Sequence, residues 1–497
     1  MKEINSIKTT LKNTTVVGGS QLINIFVNVV KTKCIALFLG ASGVGLIHLF
    51  TTTIALVQSF FNLGLGISGV RDLSEAYNDK DQLAMPKKVR VLKYWVIFSS
   101  IIGITFTILF SKQLSIWTFG DATYSINFSI LSIIILINGL SVMYSSIIRS
   151  ARRMINFGKV TVYSSFISAI VAIFMYYFFS KEAIIPVLII SAIISLIINI
   201  IFSSKIIIDT DSVSMSLKEV FFDGLSMVKL GAFTVFTSFI SLATLYYVRV
   251  SIRDTMGIDY VGYYAAATTL TITYMGLIFS SMAADYFPKL SAINKDNQAL
   301  NKAILDQTKI ILLLGTPLIL LMFTFSDYII PILYSKEFIS SRVLLLWMLL
   351  AVFFQLISFP IGYVFLAKSK GKIFIFTQSQ WNIIFIIGAF LSLKFDYGLE
   401  GIGIAFSTAY LLGLVVNILI IKRVTSLKYD STTKQYILFL GLSVIAYLYY
   451  SLNYYGLVAL IIKFSAFLLI FFYCYKKLEE LLGLSLFSIA KEKFIKK

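Results

Sequence analysis

The scarcity of acid is the first constraint on this chain. Only 24 Asp and Glu stand against 43 Lys and Arg in 497 residues, and the acids all fall in loops or at the ends of apolar runs. Charged residues make up 13% of the chain, roughly half of what a soluble protein carries. Two cysteines, Cys34 and Cys474, each sit inside an apolar run, so they are expected as small core residues rather than a disulfide or metal pair. His48 is the only histidine. No phosphate-binding loop with Lys-Ser/Thr, metal-ligand cluster or nucleophilic triad is present, so neither catalysis nor a cofactor or metal is expected.

What is abundant is apolar length. The chain is 58% hydrophobic with a mean hydropathy of +0.87, and runs of about 20 residues, each able to cross a hydrocarbon core of about 30 Å, recur from end to end. Fourteen candidate membrane helices cover 15–39, 43–67, 92–111, 124–147, 159–179, 183–203, 225–249, 260–284, 308–333, 342–367, 373–393, 400–421, 436–450 and 456–475, the thirteenth being short. Helix-length runs, rather than alternating ten-residue strands, exclude an outer-membrane barrel. The stretch "MKEINSIKTTLKNTT" is polar and basic with no cleavage site after the first run, which is therefore expected as a retained helix.

Charge distribution sets the orientation. With a cytoplasmic N-terminus, 32 Lys/Arg lie in cytoplasmic loops and tails, 7 in or beside external loops and 4 within helices. That asymmetry predicts a bacterial inner-membrane protein with both termini cytoplasmic. It also explains the formal charge of +19 without nucleic acid. External loops such as "ASG", "SKEA" and "SLNYY" leave no room for an enzymatic domain outside.

An internal repeat is visible. "GASGVG" at 40–45 resembles "GIDYVG" at 257–262. At the same ungapped offset Thr51 and Thr52 fall on Thr268 and Thr269, and Leu73–Ser74 on Leu290–Ser291. The expected fold is an all-α polytopic membrane protein of about 14 transmembrane helices. Two pseudo-symmetric six-helix bundles would surround a central cavity, with two C-terminal helices added. The expected divisions are an N-terminal bundle 1–204, a cytoplasmic linker 205–224, a C-terminal bundle 225–421, and 422–497 carrying the last two helices and a basic tail.

Polar stripes mark candidate site residues. At 100° per residue, Thr14, Gly18, Gln21, Asn24, Asn28 and Lys31 of the first helix share a sector of about 140°. Lys33 points elsewhere, nearer the external end. In the second helix His48, Thr51, Thr52, Ala55, Ser59, Asn62 and Gly66 share a face that ends in "GLGISGVRDLSEA", where Arg71 adjoins Asp72. That glycine run closes a membrane helix instead of following a strand, which excludes a nucleotide loop. The fourth helix aligns Asn127, Asn138, Ser141, Ser145 and Arg149; the seventh aligns Thr234, Thr237, Ser241 and Thr244, with Arg249 near its external end.

Small hydroxylated residues also serve ordinary helix packing. His48 suits an interfacial role, Arg71 a pairing with Asp72 or lipid phosphate, and Lys463 a snorkelling position. Lys31 differs, because no acid in its helix can neutralise it. A basic, polar cavity without carboxylates fits an anionic substrate such as a phosphate or pyrophosphate and disfavours a cationic one.

Residues 31–76 carry a resemblance to a known family. "KTK" before "ALFLG", then "GVGL", then "GLGISGVR" opening the first long cytoplasmic loop are similar to the start of Wzx-type O-antigen translocases. These are polysaccharide flippases of the multidrug/oligosaccharidyl-lipid/polysaccharide (MOP) exporter superfamily. The resemblance implies two bundles opening alternately to each side and an undecaprenyl-pyrophosphate-linked oligosaccharide as substrate. It implies that Lys31, Lys33 and Arg249, with Arg71 and Arg149, receive the pyrophosphate. Asn28, Asn24, Gln21 and His48, read from the polar faces of their helices, are expected to line the same cavity. Expected partners are this glycolipid, membrane lipids, and a polysaccharide polymerase and chain-length regulator. Alternatives left open are a flippase for the lipid-linked peptidoglycan precursor, a cation-coupled multidrug exporter and a membrane glycan polymerase.

Overall fold

The computed structural model describes residues 2–77, 81, 83–204, 206, 215–368 and 370–482. The basic tail 483–497 and residues 205 and 207–214 of the linker lie outside the described residues, as do the side chains of Thr14 and Thr234. The described residues form helices and no strands. In chain order these are α1 Lys2–Phe61, α2 Leu65–Tyr77, α3 Ala84–Leu109, α4 Ser111–Phe119, α5 Ser125–Leu131, α6 Ile133–Ser150, α7 Met154–Phe179, α8 Ile184–Ser203, α9 Leu217–Met256 and α10 Ile258–Thr268. After a wide six-residue turn at Thr269–Tyr274 come α11 Met275–Ala292, α12 Asn297–Thr324, α13 Ser326–Leu333, α14 Arg342–Ala367, α15 Gly371–Lys394, α16 Gly398–Thr425, α17 Ser431–Asn453 and α18 Leu457–Leu482.

Among the described residues eleven helical stretches are long and apolar enough to cross a bilayer. The number falls below fourteen because two of them are double. Gly19–Phe61 is 43 residues long, about twice the ~30 Å core at 1.5 Å per residue, and it breaks at Gly40. Met154–Ser203 turns back at a 3-10 turn, Ser180–Ala183. The run at 260–284 corresponds to α10 and α11, interrupted by the Thr269–Tyr274 turn.

Several helices extend further than their apolar runs. α9 begins at Leu217, where Ser216 and Glu219 form a reciprocal capping box. Asp296 caps α12 and Asp430 caps α17. The thirteenth run is consequently a 23-residue helix, long enough to span.

By its contacts the chain divides into two compact units. One comprises 1–265 with 333–335, the other 266–332 with 336–497. In the first unit α9 packs on α1, α2 and α3. Its early turns seat on α3, where Trp95 Nε1 donates to the Val220 carbonyl at 3.1 Å. Gly64 and Gly231 meet backbone to backbone, and a Cβ on Gly231 would lie 2.5 Å from the Leu63 carbonyl oxygen.

The two corners of the sequence repeat also meet inside this unit. Gly40 (φ 66°, ψ −170°) and Gly257 (φ 101°, ψ 171°) share a conformation open essentially to glycine alone. A Cβ on Gly45 would strike the Ile258 carbonyl, and one on Gly262 would strike the Ala41 carbonyl. Ala41 and Ile258 are themselves counterparts at the offset of the repeat, as are Gly45 and Gly262, so the contact is reciprocal. The repeat recurs deeper in the helices, one residue out of register at its second member. Asn199 donates to Ser141 at 3.0 Å in the first unit, and Asn417 donates to Ser358 at 2.7 Å in the second.

Candidate functional site

The first half of α1 separates its faces as its sequence requires. Leu22, Phe26 and Leu37 are 69%, 69% and 58% exposed, on the side a bilayer would cover. Gln21, Asn24, Asn28 and Lys31, on the opposite side, are half-buried. Asn28 donates to both the carbonyl and the side-chain oxygen of Asn24, at 2.9 and 3.0 Å. Part of the stripe is therefore satisfied within its own helix. Lys31 has no hydrogen-bond or ion-pair partner among the described residues. Lys33 is half-buried and does engage neighbours.

Arg249 is held differently. It is 8% exposed on α9 and donates to Thr52 Oγ1 and, at 3.3 Å, to the His48 carbonyl. Thr52 in turn donates to that same carbonyl at 2.5 Å. The part of His48 that does this work is thus its backbone oxygen rather than its ring. Just beyond, Thr53, Thr118 and Tyr246 form a hydroxyl chain at 3.1 Å per step, tying the second arm of α1 to α4 and α9. Arg249 Nε is buried without a partner among the described residues, and none of their carboxylates lies within ion-pair distance of the guanidinium.

The remaining basic candidates are more ordinary. Arg71 is half-exposed and pairs with Asp72 at 2.7 Å and Glu75 at 3.8 Å within α2. Arg149 closes α6 with its guanidinium 5.7 Å from the Phe157 ring. Neither contact joins Arg71 or Arg149 to Lys31 or Arg249.

The second unit neutralises its buried cations. Arg342 and Lys463 both pair with Asp327, and Arg342 also donates to the Ser451 carbonyl at 2.6 Å. Lys463 does not snorkel: its side chain is 3% exposed, because Asp327 draws it into the helix packing. Lys309 pairs with Asp430 at 2.7 Å. Burial pushes the Asp430 carboxyl up, but hydrogen bonds from Lys309 and Thr433 outweigh it and hold the group below its usual range.

A cavity of about 300 Å³ opens in the first unit between α1, α5, α6 and α8. Thr51, Gln58, Asn138, Ser191 and Ser195 supply its polar lining, and Phe50, Ile54 and Leu188 are among its apolar walls. Asn138 donates to Gln58 at 3.2 Å, and Ser195 shares a hydrogen bond with Ser141 at 3.1 Å. Of the expected stripes, Thr51, Ala55 and Asn138 reach this cavity; Gln21, Asn24, Asn28 and Lys31 do not line it. Gln58, Ser191 and Ser195 were not expected from the sequence. The signal was present: Thr51, Ala55 and Gln58 fall on one helix face, and Ser191, Ser195 and Asn199 recur every fourth residue.

Comparisons with known proteins agree with this architecture. The family model described as "Polysaccharide biosynthesis protein" matches residues 34–343. A "Putative O-antigen transporter" of Shigella flexneri is 24% identical over 385 residues, covering 75% of this chain and 88% of that protein. Among solved structures, the lipid II flippase MurJ in an inward closed conformation superposes with a TM-score of 0.72 at 17% identity, covering 95% of this chain and all of that one. An inward-facing multidrug resistance MATE family transporter of the MOP superfamily superposes at 0.64 and 14% identity, covering 85% of this chain and 95% of that one. With the family model spanning well over half of its length, the chain belongs to the polysaccharide biosynthesis protein family.

Proposed function

We propose that the chain moves an undecaprenyl-pyrophosphate-linked oligosaccharide, the repeat unit of an O-antigen or related surface polysaccharide, from the cytoplasmic to the periplasmic leaflet of a bacterial inner membrane by alternating access. The observation that carries this is the sign and pairing of charge in the first unit. Lys31 is half-buried with no partner among the described residues, and Arg249 is buried with no carboxylate among them, whereas the buried cations of the second unit have Asp327 and Asp430. A cation left inside a membrane protein costs several kcal/mol unless an anion joins it. A pyrophosphate supplies that anion.

In the proposed cycle the headgroup enters from the cytoplasmic side and its pyrophosphate pairs first with Lys31, while Lys33, Asn28, Asn24 and Gln21 line the path. The prenyl tail stays in the surrounding lipid. Arg249, occupied by Thr52 and the His48 carbonyl in this conformation, becomes a second phosphate partner when helices α1 and α9 part. Arg71 and Arg149 attract the anion at the cytoplasmic end, where the termini also lie. A polymerase and chain-length regulator would take the product on the far side.

The test is transport in vesicles. The purified protein, reconstituted with undecaprenyl-pyrophosphate oligosaccharide, should equilibrate it between leaflets, and Lys31→Ala should lose this while inserting normally. Equal transport by well-inserted Lys31→Ala would remove the basic site from the mechanism.

A further inference from the structure

The cavity between α1, α5, α6 and α8 has a chemistry that the pyrophosphate does not explain. Its polar lining consists of two amides and three hydroxyls, Gln58, Asn138, Thr51, Ser191 and Ser195, and no charged side chain among the described residues borders it. A phosphate there would meet neutral groups alone, although Lys31 and Arg249 stand elsewhere in the same unit. Neutral amides and hydroxyls interleaved with aliphatic and aromatic walls are what a pyranose ring needs. Its hydroxyls both donate and accept, and its C–H faces pack on apolar side chains.

Two polar side-chain atoms of α8, one on a residue that lines the cavity and one beyond it, remain unsatisfied among the described residues. Ser191 lines the cavity, and its Oγ is buried with no partner among the described residues. Asn199 Oδ1, two helical turns along α8 from Ser191, is also unpartnered in a residue only 4% exposed. The second unit shows what completion looks like. There Asn417, the counterpart of Asn199, accepts at Oδ1 from Gln380 Nε2 at 2.9 Å. The first-unit counterparts of Gln380, within one residue of register, are Val162 and Tyr163. Neither is an amide, so nothing there fills that role. A buried acceptor left without a donor is destabilising, and along the same helix Ser191 and Ser195 line the open volume.

We infer that this cavity is a sugar subsite, taking one neutral hexose-class ring of the transported glycan through Gln58, Asn138, Ser191 and Ser195. At about 300 Å³ the cavity stands at the small end of the ligand-pocket range of about 300–1,000 Å³, which suits a single ring rather than a whole repeat unit. The subsite rests on the glycolipid assignment above, but it separates the two ends of that substrate: charge on Lys31, hydroxyls here.

The experiment is protection of a cysteine. Ser191→Cys is placed in a background with Cys34→Ala and Cys474→Ala, reconstituted, and labelled with a small methanethiosulfonate reagent. Oligosaccharide released from the lipid carrier by mild acid, added at twice its dissociation constant, should slow labelling about threefold, and inorganic pyrophosphate should not. Absence of protection by the oligosaccharide, equal protection by pyrophosphate, or no labelling under any condition overturns the subsite. Transport of the glycolipid by the same vesicles tells the two proposals apart. Transport without protection removes the subsite and leaves the flippase. Protection without transport leaves a sugar site and removes the flippase.

Discussion

Gly45 and Gly262 occupy equivalent places in one reciprocal contact, each lying where a side chain would strike the other corner's backbone. Around them Gly40 and Gly257 repeat the same left-handed, extended turn. Such a seam tolerates no added atoms. Gly45→Val or Gly262→Val should cost about 1–3 kcal/mol by overpacking, lowering the melting temperature in detergent and reducing export. Wild-type melting and export in both variants would mean the corners are free to move apart at no cost.

Arg249 and Thr52 make a second link across the same seam. Thr52→Val takes away the hydroxyl acceptor and leaves a guanidinium N–H short of a partner, at a cost of about 1–3 kcal/mol. The double variant Thr52→Val with Arg249→Leu should recover part of that loss in a thermal melt. If the losses of the two single variants simply add, the residues are not coupled.

In the second unit Asp327 holds two buried cations. Asp327→Asn leaves Arg342 and Lys463 together without their anion, and should cost about 3–5 kcal/mol. Adding Lys463→Met should restore part of it. Size-exclusion profiles after graded heating would measure both effects, and an Asp327→Asn profile matching wild type would show that the trio contributes nothing.

The Lys309–Asp430 pair gives a pH dependence with a definite sign. The Asp430 carboxyl is held below its ordinary range by hydrogen bonds that overcome its burial. Its stabilising contribution is therefore present above the ordinary carboxylate range and fades as pH falls through the depressed value. Asp430→Asn should melt lower than wild type at neutral pH and lose less on acidification. Parallel melting curves at every pH would contradict this assignment.

Much of this was legible beforehand, and the gaps have physical causes. Apolar runs located nearly every helix because a bilayer demands about 20 apolar residues wherever the chain crosses. They missed the polar first turns of α9, α12 and α17, which lie beyond the apolar windows and are marked instead by caps at Ser216, Asp296 and Asp430. The stripe on α1 was readable from its period, and its lipid-facing side is the apolar one. Lys463 was misplaced as a snorkelling residue because its partner, Asp327, stands far away in sequence, on another helix. The cavity was only half visible for a similar reason: Gln58, Asn138 and Ser195 converge from three separate helices, and a single-helix projection shows each lining face apart from the others.

Helix α1 offers a sharper trial of charge. Asn28 lies one turn from Lys31 on the same face, and Asn28→Asp would place a carboxylate where a pyrophosphate is expected to approach. Export should fall strongly with insertion unchanged. Unaltered export would mean that this face of α1 does not meet the substrate.

The most direct measurement is the location of lipid-linked glycan in cells lacking the gene. A complete undecaprenyl-pyrophosphate repeat unit should accumulate on the cytoplasmic face, cleared by the wild-type gene and not by Lys31→Ala. Accumulation of the full unit on the periplasmic face would contradict the account, since the protein would then act after translocation.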